Sequence, residues 1–344
     1  MTLISRQIRL AARPEGFPVA EDFSIQERPV RTPEDGEVLL RTLYLSLDPY
    51  MRGRMSESKS YAAHLELGDV MLGGTVSEVL ESRSRDLVPG QIVVGGAGWQ
   101  TYSVEPASSL RVVDPEAAPI PTALGVLGMP GFTAYAGLLA IGRPQAGETL
   151  AVAAATGPVG ATVGQIARLK GLRTIGIAGG PQKVEHLREL GFDAAIDHRG
   201  EGLEARIAQA APDGIDVYFE NVGGHVWEAV LPHLNLYARV PVCGLAATYN
   251  ATGEPEGPDR SPALLRTVLN QSLTIRGFIQ TEFRESLFED FLRDMGAWVR
   301  EGRIRYREDV TEGLENAPET FIGMLAGRNF GKTLIQVAAP AEMP

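Results

Sequence analysis

The chain carries a single cysteine, Cys243, among its 344 residues. That excludes an internal disulfide framework and any structural zinc site built from several thiolates, and a reducing, cytosolic compartment fits best. Clusters of Lys and Arg interleaved with aromatic residues are also missing, and the formal net charge is −11. Nucleic acid is therefore not an expected partner. The N-terminus, MTLISRQIRLAARPEG, lacks an apolar core of signal-peptide length, so export is not expected. One uncharged stretch, Ala117 to Gly142, is long enough to span a bilayer, but Pro119, Pro121 and Pro130 interrupt it together with Gly125, Gly128, Gly131 and Gly137. Short buried helices and turns are expected there, and no membrane association. Metal-ligand spacing is absent too: no H-E-x-x-H or C-x-x-C occurs, and His64, His186, His225 and His233 are scattered like surface or packing residues. No G-x-S-x-G elbow suggests a serine hydrolase.

What is present has two textures. A chain of this length exceeds the usual size of one hydrophobic core, which makes two domains the default. The first ~120 residues hold short alternating runs, such as EVLLRTLYLSL, VMLGGTVSEVL and QIVVG, parted by turn residues. They read as an all-β, barrel-like module. From about Leu150 short β-branched or alanine-rich runs alternate with helical segments: ETLAVAAA, RTIGIAG, AAIDH, IDVYFEN, ARVPVCG and LTIRGFI. This alternation marks βαβ units and a parallel, doubly wound sheet. In the first helical segment Val159, Val163, Ile166 and Ala167 fall on one face. In the second, Val184, Leu187 and Leu190 do so, and Gly191 is placed to end the helix. The tail reads as strand (IRYREDV), helix and strand (GKTLIQVA), returning to the first module. The expected division is 1–123 for the catalytic module, 124–301 for the nucleotide-binding domain and 302–344 for the returning tail.

Between the first strand and helix of the parallel sheet stands Thr156-Gly157-Pro158-Val159-Gly160. Gly157 lets the backbone approach a pyrophosphate, Gly160 lets helix and strand pack closely, and the helix start offers N–H groups and a positive dipole end. The G-x-G-x-x-G pattern is incomplete, since Ala155 takes the place of the first glycine. At the end of the second strand, where an NAD site places an acidic residue, the chain reads Ala178-Gly179-Gly180 with Lys183 beyond. Small residues leave room for a 2′-phosphate and lysine offers it positive charge, so NADPH is the expected cofactor.

With these pieces in place, the sequence resembles the zinc-independent branch of the medium-chain dehydrogenase/reductases, which includes prostaglandin reductases, plant alkenal double-bond reductases and bacterial curcumin reductases. The motifs are SLDPYMRGRM at 46–55, GMPGFTAYAGLL at 128–139, ATGPVGATVGQIARLKG at 155–171, ENVGG at 220–224, PVCGLAATYN at 241–250 and GRNFGKTLIQV at 327–337. The DHR at 197–199 and the stretch NVGGHVWEAVLPHLNLYARVPVCGL bring it nearest to the curcumin reductases. The resemblance implies a GroES-like β-barrel catalytic domain, a Rossmann domain and NADPH in the cleft between them. It implies Gly157, Pro158, Val159 and Gly160 under the pyrophosphate, Lys183 at the 2′-phosphate, and Asn221 touching the cofactor from the sheet edge. Cys243, Gly244 and Leu245 would open the nicotinamide wall that runs to Tyr249. Phe278, Ile279 and Gln280 would offer backbone groups to the carboxamide, and Asn329 would reach across from the tail. His198 stands where prostaglandin reductases carry a tyrosine near the adenosine phosphate, and histidine is able to donate to a phosphate. A homodimer is also implied.

For hydride transfer to an enone the protein must present a donor to the carbonyl oxygen, a role that suits tyrosine. Tyr50, Tyr61 and Tyr249 are the candidates, each with the alternative of a buried hydroxyl satisfied by backbone. Arg52 and Arg54 either steer an anionic substrate or bind carboxylates within the first module. The expected activity is NADPH-dependent reduction of the carbon–carbon double bond of α,β-unsaturated ketones and aldehydes, a small-molecule substrate. Quinone or ketone reduction on the same scaffold and NADPH binding without turnover stay open as alternatives. The loops around Ser56 to Leu67 and Ala251 to Ser261 are expected to shape the substrate pocket.

Overall fold

The structure is a computed structural model that describes residues 2–253 and 258–339. Residues 254–257, part of the second pocket loop named above, lie outside the described residues. The chain separates into two compact units, one formed by Met1–Gly125 with Glu308–Pro344 and the other by Val126–Arg307.

In Val126–Arg307, six strands form one parallel sheet. Their order across it is Ala194–Asp197, Arg173–Ala178, Thr149–Ala153, Ile215–Phe219, Leu234–Val242 and Thr274–Gly277. Numbered along the chain this is 3-2-1-4-5-6, the doubly wound dinucleotide-binding order. Strands so placed are covered on both faces and read as continuous apolar runs, and every residue of Thr149–Ala153 is buried. One face packs Val163, Ile166 and Ala167 of the helix Pro158–Leu169, with Val159 half-buried beside them, and Leu187 and Leu190 of the next helical segment. The other face packs Ile207, Val226 and Val230 from Leu203–Ala210 and Gly224–Val230. Gly191 closes the helix Pro181–Glu189 with φ of 84°.

The uncharged stretch breaks into a 3₁₀ turn (Ile120–Leu124), a helix (Met129–Ala136) and a π-helical turn (Gly137–Gly142). Phe132, Ala134, Tyr135 and Leu138 enter the core of the parallel-sheet unit. No helix among the described residues is long and apolar enough to cross a membrane. Residues 302–307 also belong to this unit: Ile304 is buried in its core, and the Gln165 amide donates to Arg305 O and accepts from Arg305 N–H, both at 2.8 Å.

The other unit holds a mostly antiparallel sheet centred on Glu37–Ser46, which pairs with Thr75–Ser82, Tyr102–Pro106 and Lys332–Gln336. The tail strand Glu308–Glu312 lies parallel to Lys332–Gln336 at the end of that sheet. Ile4–Leu10 and Phe23–Pro29 make a separate antiparallel ribbon. Its core gathers Trp99, Phe321, Ile8, Leu45 and Met51.

Candidate functional site

The first strand of the parallel sheet ends at Ala153, and the next residue, Ala154, turns left-handed with φ of 50°. That turn swings the Ala154 carbonyl toward the start of the helix Pro158–Leu169, where it accepts the Gly157 N–H at 2.9 Å. The same oxygen would lie 3.2 Å from a Cβ on residue 157 and 2.5 Å from one on residue 160. Glycine at 160 is thus dictated by one carbonyl. Gly157 is the N-cap, Pro158 presets the first helical φ, and no side chain caps this end. The first-turn N–H groups of Val159 and Gly160 are therefore left for an anion. The cradle fits a dinucleotide pyrophosphate: small, uncharged, and lined by backbone donors.

The second strand ends at Ala178, and the following turn is roofed by side-chain nitrogens. The imidazole Nε2 of His198 and Nε of Arg199 both lie where a side chain on residue 179 would go, 2.8 Å from its ideal Cβ. Asp197 supports the turn, its Oδ1 accepting from Gly180 N–H at 2.9 Å and Arg199 N–H at 3.0 Å. Those bonds hold its carboxyl below the usual range, the bond from Gly180 most of all. Lys183, half-buried in the first turn of Pro181–Glu189, adds a second positive charge beside that of Arg199. Burial lowers the pKa of His198 first, then His225, Arg199 and Lys183 lower it further, while Asp197 opposes them.

At the end of the fourth strand, Glu220 is buried, and one carboxylate oxygen accepts the N–H groups of Val222 and Gly223 at 2.7 and 2.9 Å. This fixes the ENVGG turn. Asn221 then bridges two strand ends, donating from Nδ2 to Ala153 O at 2.8 Å and accepting the Cys243 thiol on Oδ1 at 2.8 Å. Burial, then the Glu220 carboxyl, push that thiol up to about 12, so it stays a neutral donor at physiological pH. Beyond it, Gly244 and Leu245 curl under Tyr249, whose hydroxyl lies 3.4 Å from Leu245 N–H and 3.0 Å from an ideal Cβ on residue 244. The Phe278 N–H goes to Val242 O and the Ile279 N–H to Glu282 Oε1, while Gln280 opens a short 3₁₀ turn. Phe278 itself is a core residue packed edge-on to Phe219.

In the antiparallel unit, Tyr50 begins the short helix Tyr50–Arg54. Burial raises its pKa most, with Asp48 and Tyr61 adding to the effect and Arg54 opposing it, which keeps the hydroxyl protonated. Tyr61 is exposed, and the Arg54 guanidinium stacks 4.3 Å from its ring centroid. Arg54 also donates to Ala62 O at 2.7 Å and Ser60 Oγ at 3.3 Å, tying down the loop that carries Tyr61. Arg52 donates to Pro14 O and Gly16 O. Both side chains are buried, with hydrogen bonds to backbone carbonyls and a serine, and the Asp22 carboxylate of the same unit also acts on Arg52. Asn329 donates to Gly331 O at 3.1 Å within its own turn.

Compared with known proteins, residues 6–113 match the family described as "N-terminal domain of oxidoreductase" and residues 158–296 that described as "Zinc-binding dehydrogenase". The NADPH-dependent curcumin reductase of Escherichia coli (strain K12) is 55% identical over 335 residues, 97% of each chain. Prostaglandin reductase 1 of Rattus norvegicus is 42% identical over 327 residues, 94% of this chain and 96% of the relative. The crystal structure of CurA in complex with NADPH from Vibrio vulnificus superimposes with a TM-score of 0.94 at 48% identity, covering 97% of this chain and 100% of that one. The chain belongs to the medium-chain dehydrogenase/reductases. It falls in the branch of the curcumin and prostaglandin reductases, and it is an oxidoreductase of that branch. Although one matching description names zinc, no group of three or more His, Cys, Asp or Glu among the described residues is placed to hold a metal ion.

Four residues of this reductase's site escaped the sequence reading. Ala154 sits one position before the alanine that was compared with the missing glycine, and nothing in an alanine announces a left-handed φ. Arg199 stood in plain sight within DHR. His225, expected as a scattered surface or packing residue, is exposed but hydrogen-bonded to His198. Glu220 was part of a quoted motif, and its role follows only from seeing which N–H groups its carboxylate meets.

Proposed function

We propose that the protein reduces the carbon–carbon double bond of α,β-unsaturated ketones and aldehydes with NADPH. The observation that carries this reading is the charge at the end of the second strand: Lys183, His198 and Arg199 surround a Gly-Gly turn that offers no carboxylate of its own. Such a turn favours a 2′-phosphate, and Asp197, the carboxylate beside it, has its Oδ1 engaged by the backbone N–H groups of residues 180 and 199. The name of the E. coli relative and the NADPH complex of the V. vulnificus relative support the same cofactor.

In this reading Gly157, Pro158, Val159 and Gly160 hold the pyrophosphate, and Lys183 and His198 the 2′-phosphate. Asn221, Cys243, Gly244, Leu245, Phe278, Ile279, Gln280 and Asn329 complete the binding residues. NADPH, when bound, supplies the hydride that adds to the β-carbon. The chain's share is to stabilise the negative charge that then develops on the carbonyl oxygen, a task assigned to the hydroxyls of Tyr50, Tyr61 and Tyr249. Because burial, Asp48 and Tyr61 hold the Tyr50 pKa up, that hydroxyl donates a hydrogen bond without losing its proton. The reading includes a cytosolic location and a homodimer formed through the parallel-sheet unit.

The test follows NADPH absorbance with an enone and a quinone, with product identification. A saturated ketone from the enone is the expected result; an alcohol, or turnover of the quinone alone, would assign a different reaction. Replacing Lys183 by Ala should raise the KM for NADPH about tenfold, since a hydrogen bond to an ionised group contributes about 1.5–3 kcal/mol, and should leave that for NADH nearly unchanged.

A further inference from the structure

His198 has one ring nitrogen at the Gly179–Gly180 turn and the other in a hydrogen bond. Its Nδ1 lies 3.1 Å from Nε2 of His225, which comes from a different element, the helix Gly224–Val230 that follows the ENVGG turn. The rings are 5.2 Å apart at their centroids and inclined by 40°. His225 itself is exposed, and its packing supports no core.

We propose that His225 is a positioning residue for cofactor selection, setting the tautomer of His198 so that His198 presents an Nε2–H donor to the turn at Gly179 and Gly180. This rests on the reading that the turn receives the 2′-phosphate of NADPH. A neutral imidazole has one proton for two nitrogens, and the bond made by one nitrogen decides what the other offers. When His225 Nε2–H donates to His198 Nδ1, the only proton of His198 is on Nε2, at the turn. When His198 donates from Nδ1 instead, the turn meets a bare lone pair, which repels a phosphate oxygen. A protonated His198 donates from both nitrogens and again offers Nε2–H, with His225 as acceptor.

The groups that face His198 decide which of these states matters near neutral pH. Burial, His225, Arg199 and Lys183 all disfavour the imidazolium, and Asp197 alone among the named neighbours favours it. The ring is thus neutral in the free protein, and its tautomer governs what an arriving phosphate meets. Asp197 acts on His198 through its charge, while its Oδ1 accepts the two backbone N–H groups of residues 180 and 199. An anion at the turn offsets the positive charge of Lys183 and Arg199, so its binding also draws a proton to the histidine pair.

The experiment measures dissociation constants of NADPH and NADH for the full-length protein and its His225→Ala and His225→Gln variants at pH 8. Glutamine keeps an N–H near the position of the histidine Nε2. The expected result is an NADPH constant raised about twofold in His225→Ala, as the Nε2–H form falls from nearly the whole population toward half of it, with the NADH constant unchanged and glutamine restoring most of the difference. Nitrogen-15 NMR of histidine-labelled protein at the same pH supplies a readout that mere loosening would not produce. His198 should carry its proton on Nε2 in the parent and lose that preference in His225→Ala. A parent His198 protonated on Nδ1, or equal weakening of NADPH and NADH by His225→Ala, overturns the proposal. Lys183→Ala separates the two ideas. If it lowers the preference for NADPH while His225→Ala does not, only the role of His225 falls. If neither does, the 2′-phosphate is not at this turn and both fall.

Discussion

At the scale of single residues, the turn between the first strand and the first helix of the parallel sheet holds its strain at Ala154. A non-glycine residue in the left-handed region costs roughly 1–2 kcal/mol, and glycine would avoid that while losing roughly 0.5–1 kcal/mol through greater freedom in the unfolded chain. Ala154→Gly should therefore stabilise the protein slightly, by less than about 1 kcal/mol, whereas Ala154→Val should destabilise it by more, since a β-branched side chain tolerates that φ poorly. Thermal unfolding of both variants checks the order. The tyrosines are tested by Tyr50→Phe and Tyr249→Phe. Each should lower kcat/KM for an enone more than it weakens NADPH binding, up to about 2.7–4 kcal/mol by analogy with removal of one oxyanion-hole donor. Steady-state kinetics beside NADPH titration separate the two effects, and full activity in the double variant would remove tyrosine from the role.

At the scale of elements, the pairing of the tail strands sets a pH-dependent weakness. Glu308 faces Lys332 across the parallel pair Glu308–Glu312 and Lys332–Gln336, yet its Oε1 is buried with no hydrogen-bond partner. Burial raises its pKa from 4.5 to about 7, with Lys332 opposing the shift. Lys332 itself spends its ammonium on Leu47 O and Asp48 Oδ1, both at 2.7 Å. A carboxyl raised on folding binds a proton in the native state that the unfolded chain has released, so its contribution is full below 4.5 and is lost as pH rises through about 7. Glu308→Gln should hence raise the melting temperature at pH 8, and the gain should shrink toward pH 5, as calorimetry at the two pH values will show.

The same elements explain what a sequence discloses. All six parallel strands were readable because each is a short apolar run closed by a turn, and the helix faces because Val163, Ile166 and Leu187 recur at helical spacing. The His198–His225 bond was not readable, since it joins residues 27 apart through the geometry of two turns. The carbonyl partners of the arginines of DPYMRGRM were hidden for a related reason: charge in a motif suggests a charged partner, but buried guanidinium groups also donate to carbonyls such as Gly16 O and Ala62 O.

At the scale of the whole molecule, the sixth strand of the parallel sheet, Thr274–Gly277, is exposed along its length and pairs on one side only. Apolar side chains stand exposed on the same unit, with Leu236 54%, Leu265 66% and Leu269 79% accessible. An open edge with so much apolar surface invites pairing with another chain. If the homodimer forms there, Ile275→Lys combined with Leu269→Glu should shift light-scattering mass from dimer to monomer and leave NADPH binding intact. An unchanged mass would place the interface elsewhere or leave none.

The interruption of one unit by the other has a consequence for the order of synthesis. The central strand Glu37–Ser46 takes Lys332–Gln336 as a neighbour, and the whole of Val126–Arg307 lies between them in the chain. During translation the inserted unit has all of its strands and core residues once Arg307 has left the ribosome, and it is free to fold then. The unit that starts first finishes last, with the Tyr44–Ser46 end of its central strand unpaired on one side until the closing residues arrive. A message cut short before Lys332 would thus yield a chain with a complete parallel-sheet unit and an open, aggregation-prone sheet attached to it.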